Sequence, residues 1–273
     1  MKDLVIGGAS GYNYNQLKPW VESFDNVGFV GDKVLLVNNM DKVTRDTLTS
    51  KGFTLVEVPV LEGIPIHVTR FLFIYDYLRT TYKDYRYVFT SDTRDSFCQL
   101  NPITWVEQNL GDKKLVVGSE GILYKNEFWG NENLEQTYGP YVHALFKDNI
   151  TYNVGTLAGH AEYIKDLAFT IYHNAVNRPI KIVDQAVFNV TIQSAVYRDA
   201  TIYSTLADGF VCHAGTVADP VFMARCGAFM LEGAPALSND IVTNANGVPF
   251  TVVHQYDRVP EWKEVINSKF NVQ

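Results

Sequence analysis

Cysteine is scarce. The 273 residues hold three, Cys98, Cys212 and Cys226, an odd number at wide spacing. That excludes a disulfide framework and a zinc knuckle, both of which need paired or clustered thiols, so the three are expected as reduced core thiols. Basic charge is also short, with 23 Lys and Arg against 30 Asp and Glu and a net charge of -7. A general polyanion binder sets clustered Lys and Arg against phosphates, so nucleic acid is not an expected partner. No apolar run approaches the roughly 20 residues that cross a bilayer. The opening MKDLVIGGASGY puts an acidic residue and glycines where a secretory signal keeps its apolar stretch. No transmembrane segment and a cytoplasmic location are therefore expected, and the sequons at Asn149 and Asn189 carry no weight. Low-complexity and linker-like stretches are missing too, and a 47% hydrophobic content suits one large folded unit.

What is present is an alternation of strand and helix patterns. DLVIGG (3–8) reads as a buried strand ending in glycines, followed by helical spacing of Leu17, Trp20, Val21 and Phe24. KVLLVNN (33–39) is a second strand, DKVTRDTLTSKG a helix closed by Gly52, and FTLVEVPV (53–60) a third strand. IPIHVTRFLFIYDYLRTTY (64–82) predicts a long helix feeding a fourth strand, YRYVFTSD. This succession predicts right-handed crossovers and an α/β fold on a mostly parallel sheet. Further on, KKLVVGSEG (113–121) is a strand, 151–176 a strand, turn and helix, DQAVFNVTIQS a helix, and 200–257 a mix of short strands and loops.

Ligands in open α/β sheets gather at the carboxyl ends of strands, and the fourth strand ends in SDTRD. Asp92 and Asp95, three apart in a turn, can face one point, and paired hard oxygens suit magnesium or manganese bridging a diphosphate. The plain alternative makes Asp92 a strand end, Asp95 a turn cap and Arg94 a solvated partner. In TVVHQYDRVPEW, His254 follows an apolar triplet and precedes Gln255, Asp257 and Arg258, so its imidazole either completes the site or serves structure. Asn153, Gly155 and Gly159 suit close approach of a ligand to the backbone, or only a tight turn. Asp184 and Gln185 open a helix, where Asp184 alternatively acts as N-cap. The aromatic, Glu- and Asn-rich stretch 118–141 suits sugar stacking, or a surface hairpin packed by its own tyrosines.

Taken in order, SDTRD, NVGTLAG, DQAVFN and VVHQYDR resemble nucleotide-sugar-dependent glycosyltransferases of the A-type (GT-A) fold, over nearly the whole chain. The usual acidic motif there is Asp-any-Asp. The longer DxxD spacing here is similar to that of collagen-lysine glycosyltransferase domains, where both aspartates and a late histidine hold manganese. The resemblance implies a single domain over 1–273, Rossmann-like with a mixed C-terminal part: a nucleotide-binding half (1–110) and an acceptor-binding half with a metal-completing tail (111–273). It implies manganese or magnesium on Asp92, Asp95 and His254. It also implies donor contacts from Gly7, Gly8, Ala9, Ser10, Tyr12, Arg70, Asp92, Thr93, Asn153 and Gly155, although for Arg70 a purely structural pairing with Asp92 or Asp95 is equally open. Asp184 and Gln185 would flank the reacting centre, with Asp184 and Glu120 as base candidates.

The implied reaction is metal-dependent sugar transfer from a nucleoside diphosphate, UDP favoured, to a glycan or other hydroxyl acceptor. A sugar-nucleotide nucleotidyltransferase and a degenerate sugar-binding module are the rivals. The former normally has a basic residue in a loop after the first strand, and no Lys or Arg lies between Lys2 and Lys18. IGGASGYNY also misses the G-x-G-x-x-G register of dinucleotide binders.

Overall fold

Strict alternation decides how the first strand sits. Leu4 and Ile6 pack into one helical layer and Val5 and Ala9 into the other, in a computed structural model that describes residues 1–272. This strand, β1 (Lys2–Ser10), is followed by β2 (Asp32–Asn38), β3 (Phe53–Glu57), β4 (Tyr85–Ser91), β5 (Ser96–Cys98), β6 (Leu115–Leu123), β7 (Ile150–His160) and β8 (Thr201–Ser204). Four short strands complete the set: β9 (Val211–His213), β10 (Ala236–Ser238), β11 (Ile241–Thr243) and β12 (Val252–His254). Seven strands form the central sheet in the order β3-β2-β1-β4-β7-β6-β8. Only β7 runs against its neighbours, so the sheet is mostly parallel, as expected.

The first seven helices are α1 (Tyr14–Asn26), α2 (Lys42–Ser50), α3 (Ile66–Thr81), α4 (Pro102–Asn109), α5 (Phe128–Phe146), α6 (Ala161–Ala175) and α7 (Asp184–Ile192). After them come α8 (Ala195–Arg198), α9 (Ala214–Val217), α10 (Pro220–Cys226) and α11 (Pro260–Lys269). Side chains of α3, α6 and α7 form the core on one face of the sheet, and those of α1, α2 and α4 the core on the other. Burying apolar side chains on both faces is what makes the central strands nearly continuous hydrophobic runs. Residues 110–114, where the two expected halves meet, lie between α4 and β6, and strands from both sides share the one sheet.

The topology fixes where a ligand can enter. From β1 the chain steps outward to β2 and β3, then returns through α3 to β4 on the opposite side of β1. A crevice opens outside the carboxyl ends of the strands at such a reversal. Ser10 ends one of the two strands and Ser91, one residue before Asp92, ends the other.

A second, three-stranded sheet borders that crevice and brings His254 to it. Here β12 lies between β5, antiparallel, and β9, parallel, with His254 opposite Ser96 and His213. Phe97, Cys212, Phe250 and Val253 bury against Trp262, Ile266 and Phe270 from α11 and the residue after it. This separate core pins the strand that carries His254 beside the acidic turn.

Some expectations need correcting. The third strand stops at Glu57 and not at residue 60, because Pro59 has no N–H to offer a ladder. The stretch 118–141 is no hairpin: it is the end of β6 followed by α5, which Glu127 caps and which kinks at Gly139–Pro140 (Gly139 φ 79°). The region 200–257 contains α9 and α10 as well as strands. Helix α2 does close with Gly52 in a left-handed turn (φ 81°), where a side chain would be strained. All three cysteines are buried free thiols. Among the described residues, no helix is long and apolar enough to cross a membrane.

Candidate functional site

The acidic turn is tied down on every side. Asp92 N–H donates to the Gly155 carbonyl at 2.8 Å, and Thr93 Oγ1 donates to the Gly8 carbonyl at 2.8 Å. The Asp92 carbonyl accepts from Ser96 Oγ. Gln255 N–H reaches the Asp95 carbonyl at 2.6 Å, while Gln255 itself adopts a left-handed backbone (φ 59°) unusual for a side-chain-bearing residue. That bend follows His254 directly, so the imidazole and the turn are locked to each other through the backbone.

Asp92, Asp95 and His254 each offer a ligand atom, all within 4.8 Å of one another. His254 Nε2 lies 3.4 Å from Asp92 Oδ2 and 3.7 Å from Asp95 Oδ1, too long for good hydrogen bonds. Ligands held about 2.0–2.2 Å from one small cation sit about 3–4 Å from each other. Moreover, Nε2 is buried without a hydrogen-bond partner, a condition folded proteins rarely tolerate without an ion or water. The donor set thus fits a small divalent cation.

His213 stands behind His254. Their Nδ1 atoms are 3.0 Å apart and their rings nearly perpendicular, at 86°. Burial holds both imidazoles below their usual pKa, His213 far below, with mutual repulsion adding to it there; for His254, Asp95 opposes the effect. Both rings are neutral near pH 7. For His254 to present an Nε2 lone pair to a cation its proton must sit on Nδ1, and His213 Nδ1 then accepts it, the kind of outer partner that orients a ligating imidazole. No local pattern points to this: VCHAGT is an ordinary strand end until the pairing of β9 with β12 sets residue 213 beside residue 254.

Arg70, on the inner face of α3, pairs with Asp92 and donates from one terminal nitrogen to Asp184 Oδ2 at 3.0 Å. The structural pairing left open from sequence is therefore present, with Asp184 as a second partner. The N-cap reading of Asp184 is not: Val183 occupies that position, and Asp184 is the first residue of α7. Gln185 and Asn153 turn inward to a buried carboxylate. Asn153 Nδ2 donates to Glu120 Oε1 at 2.6 Å, Gln185 Nε2 to Glu120 Oε2 at 3.3 Å, and Asn153 Oδ1 accepts from Gly155 N–H at 2.7 Å. Burial raises the Glu120 carboxyl above its usual range, and the two amides partly offset this.

These groups line two adjoining cavities of about 320 and 530 Å³. Gly8, Ser10, Tyr12 and Thr93 line the first. Asn153, Asp184, Gln185 and His254 line the second, and both share Arg70, Asp92, Asp95 and Gly155. Gly7 and Ala9 do not line either cavity. They lie on the opposite face of β1, where a Cβ on Gly7 would meet the Trp20 ring at 3.0 Å and where Ala9 is buried in the α1-side core. Gly159 is likewise remote: its missing side chain makes room for the Lys114 carbonyl inside the sheet. Sequence reasoning passed over His67, and it did not single out Glu127, Phe128 or Trp129, which also line the second cavity, within the stretch 118–141 it read as suited to sugars.

Gly155 is a tight spot in the site. A Cβ there would fall 2.4 Å from His254 Cε1 and 2.9 Å from its Nε2. Gly155→Ala is expected to displace the imidazole, lowering stability by about 1–3 kcal/mol as read by urea denaturation, and to spoil the geometry in which the three side chains could share a cation, as read by titration with divalent metals.

Glu127 caps α5 by accepting from the N–H groups of Trp129 and Gly130. Burial, then repulsion from Glu120, push its carboxyl up to about 7 from an ordinary 4.5. The folded state thus binds more protons between these values, so stability falls as pH rises from 4.5 to 7, by about 3 kcal/mol at most. Glu127→Gln is expected to remove that slope, so its melting temperature gains on the native protein between pH 5 and pH 8. Parallel melting curves at both pH values check it.

No protein-family model and no curated relative matches the chain. Solved structures match in fold. The galactosyltransferase LgtC, in complex with donor and acceptor sugar analogues, aligns with a TM-score of 0.56 at 13% identity, covering 97% of this chain and 95% of that one. A structure of an active-site mutant of LgtC aligns over the same shares with a TM-score of 0.54 at 12% identity. The fold is GT-A-like, as the sequence motifs implied: a single α/β domain around a mostly parallel sheet, shared with LgtC.

Proposed function

We propose that the protein is a metal-dependent glycosyltransferase that moves a sugar from a nucleoside diphosphate, UDP favoured, to a hydroxyl of a glycan or other acceptor. The observation that carries this is the unpartnered Nε2 of buried His254, aimed at two carboxylates in the crevice where the strand order reverses. The shared fold with LgtC, whose structure holds donor and acceptor sugar analogues, supports it. Asp92, Asp95 and His254 would hold manganese or magnesium, whose charge when bound stabilises the negative charge growing on the departing diphosphate.

The chain's own residues supply the rest. Gly8, Ser10 and Tyr12 form the wall for the nucleoside in the first half, 1–110. Arg70 fixes Asp92 for the metal and Asp184 for the sugar at the same time. Glu120 anchors the amides of Asn153 and Gln185 at the sugar's place, in the second half, 111–273. Asp184, held by Arg70, and Glu120, held by the Asn153 and Gln185 amides, are two carboxylates in the second cavity that could take the acceptor's proton. The three buried free thiols suit the reducing cytoplasm expected from sequence.

Melting curves with UDP or GDP, with and without manganese, test the reading, followed by donor hydrolysis across a panel of sugar nucleotides. A rise of several degrees that needs both nucleotide and metal is expected. No metal-dependent rise with either nucleotide would end the proposal, and release of nucleoside triphosphate from a sugar nucleotide plus pyrophosphate would favour the nucleotidyltransferase instead.

A further inference from the structure

An imidazole that is to ligate a cation through one nitrogen must be held by the other. His213 and His254 stand opposite each other in the pairing of β9 with β12 and are 0% and 1% exposed, so neither ring can turn to bulk water for a partner. Their Nδ1 atoms, 3.0 Å apart, share a single proton between them. That proton has two possible homes. On His254 it leaves Nε2 of the same ring bare toward Asp92 and Asp95. On His213 it drives the His254 proton out to Nε2 and closes the site to a cation.

Two features favour the first arrangement. A proton on His254 Nε2 would have to span 3.4 Å to Asp92 Oδ2 or 3.7 Å to Asp95 Oδ1, both long for the short bond that a buried N–H makes to a carboxylate. Behind the pair, β6 sets the main chain of Gly118 against the far nitrogen of His213: a Cβ on residue 118 would fall 2.8 Å from His213 Nε2, so the ring fits only because residue 118 has no side chain. Burial and then His254 keep the His213 ring from charging, and the Gly118 backbone favours a proton on it. His213 thus carries its one proton on Nε2 and turns a bare Nδ1 to His254.

Resting on the metal-dependent reading of the site, we propose that His213 is a positioning residue: with its own proton on Nε2 it takes the Nδ1 proton of His254 and so fixes that imidazole with Nε2 bare toward Asp92 and Asp95. Gly118, His213 and His254 then form one line of contacts from the edge of the large sheet to the acidic turn. Without an acceptor at Nδ1 the His254 proton can sit on either nitrogen, and a ring protonated on Nε2 cannot ligate.

Long-range nitrogen-15 NMR on the metal-free full chain reads the tautomers directly. His254 is expected protonated on Nδ1 and His213 on Nε2. Calorimetric titrations with manganese and with magnesium then compare the native chain with two variants. His213→Leu is expected to weaken manganese at least tenfold and magnesium less, because an imidazole ligand matters more to the transition metal. His213→Asn, whose Oδ1 can stand where Nδ1 stood, is expected to keep manganese within about threefold of native. A merely structural histidine would lower both metals alike and would gain nothing from asparagine. His254 protonated on Nε2, manganese affinity unchanged in His213→Leu, or equal losses in the two variants would overturn the proposal. Should the native chain bind neither metal, the metal-site reading itself fails and takes this inference with it; manganese binding by a chain whose free His254 carries its proton on Nε2 sinks the inference alone. If His213→Leu does not fold, the tautomers of the native rings decide.

Discussion

Replacing His254 with alanine should leave UDP binding stripped of its metal-dependent part, so that UDP with manganese stabilises the variant no more than UDP alone. Donor hydrolysis should fall at least a hundredfold. The reason lies in the small number of ligands. Asp92 is shared with Arg70 and Asp95 faces Arg94 and His254, and among the described residues the group that can ligate one ion has only these three members. Truncating a buried ring also leaves a void beside His213, and a loss of about 1–2 kcal/mol of stability is expected from that alone. Asp95→Asn separates the two effects, because it removes a charged ligand while keeping the volume. Calorimetric titration with manganese reads both variants, and undiminished manganese binding in the pair would remove the site from consideration.

Arg70→Met is expected to be the most destabilising single change, at about 3–5 kcal/mol. It leaves Asp184, whose side chain is only 7% exposed, and the half-covered Asp92 without a cation between them. The loss should come mainly from the abandoned carboxylates rather than from packing, since methionine fills much of the arginine's volume. Arg70→Met with Asp184→Asn should therefore recover about half of it, and Arg70→Lys should fall between, because a point charge cannot fork to two acids. Urea midpoints for the four proteins form the test. A double variant as unstable as Arg70→Met would assign the effect to packing instead.

Strand and helix order over residues 1–91 was legible because β1, β2 and β4 are buried along most of their length and read as largely apolar runs, whereas the edge strand β3 is partly exposed and stops three residues short of its pattern. The acidic turn stood out for the same reason, since polar residues at the end of such a run are conspicuous. The second sheet was not legible. Its strands are three residues long, too short for periodicity, and they pair across distant parts of the chain. Helix α11 hides because its apolar face is only Trp262 and Ile266, and α4 because it is eight residues opened by a proline. The faces of β1 show what finer attention to a two-residue period provides: Gly8 and Ser10 reach the crevice while Gly7 and Ala9 turn from it. His213 and Glu127 carry no local motif, and only the fold sets them near the cavity.

The placement of β12 between β5 and β9 bears on how the protein comes into being. During synthesis the seven-stranded sheet can assemble before β12 emerges, so under the proposed function a nascent chain with its crevice already shaped would still lack the imidazole of its metal site. Loss of the segment from Val252 onward would recreate that state in a finished molecule, removing His254 together with the middle strand of the second sheet while leaving the seven-stranded sheet its own strands.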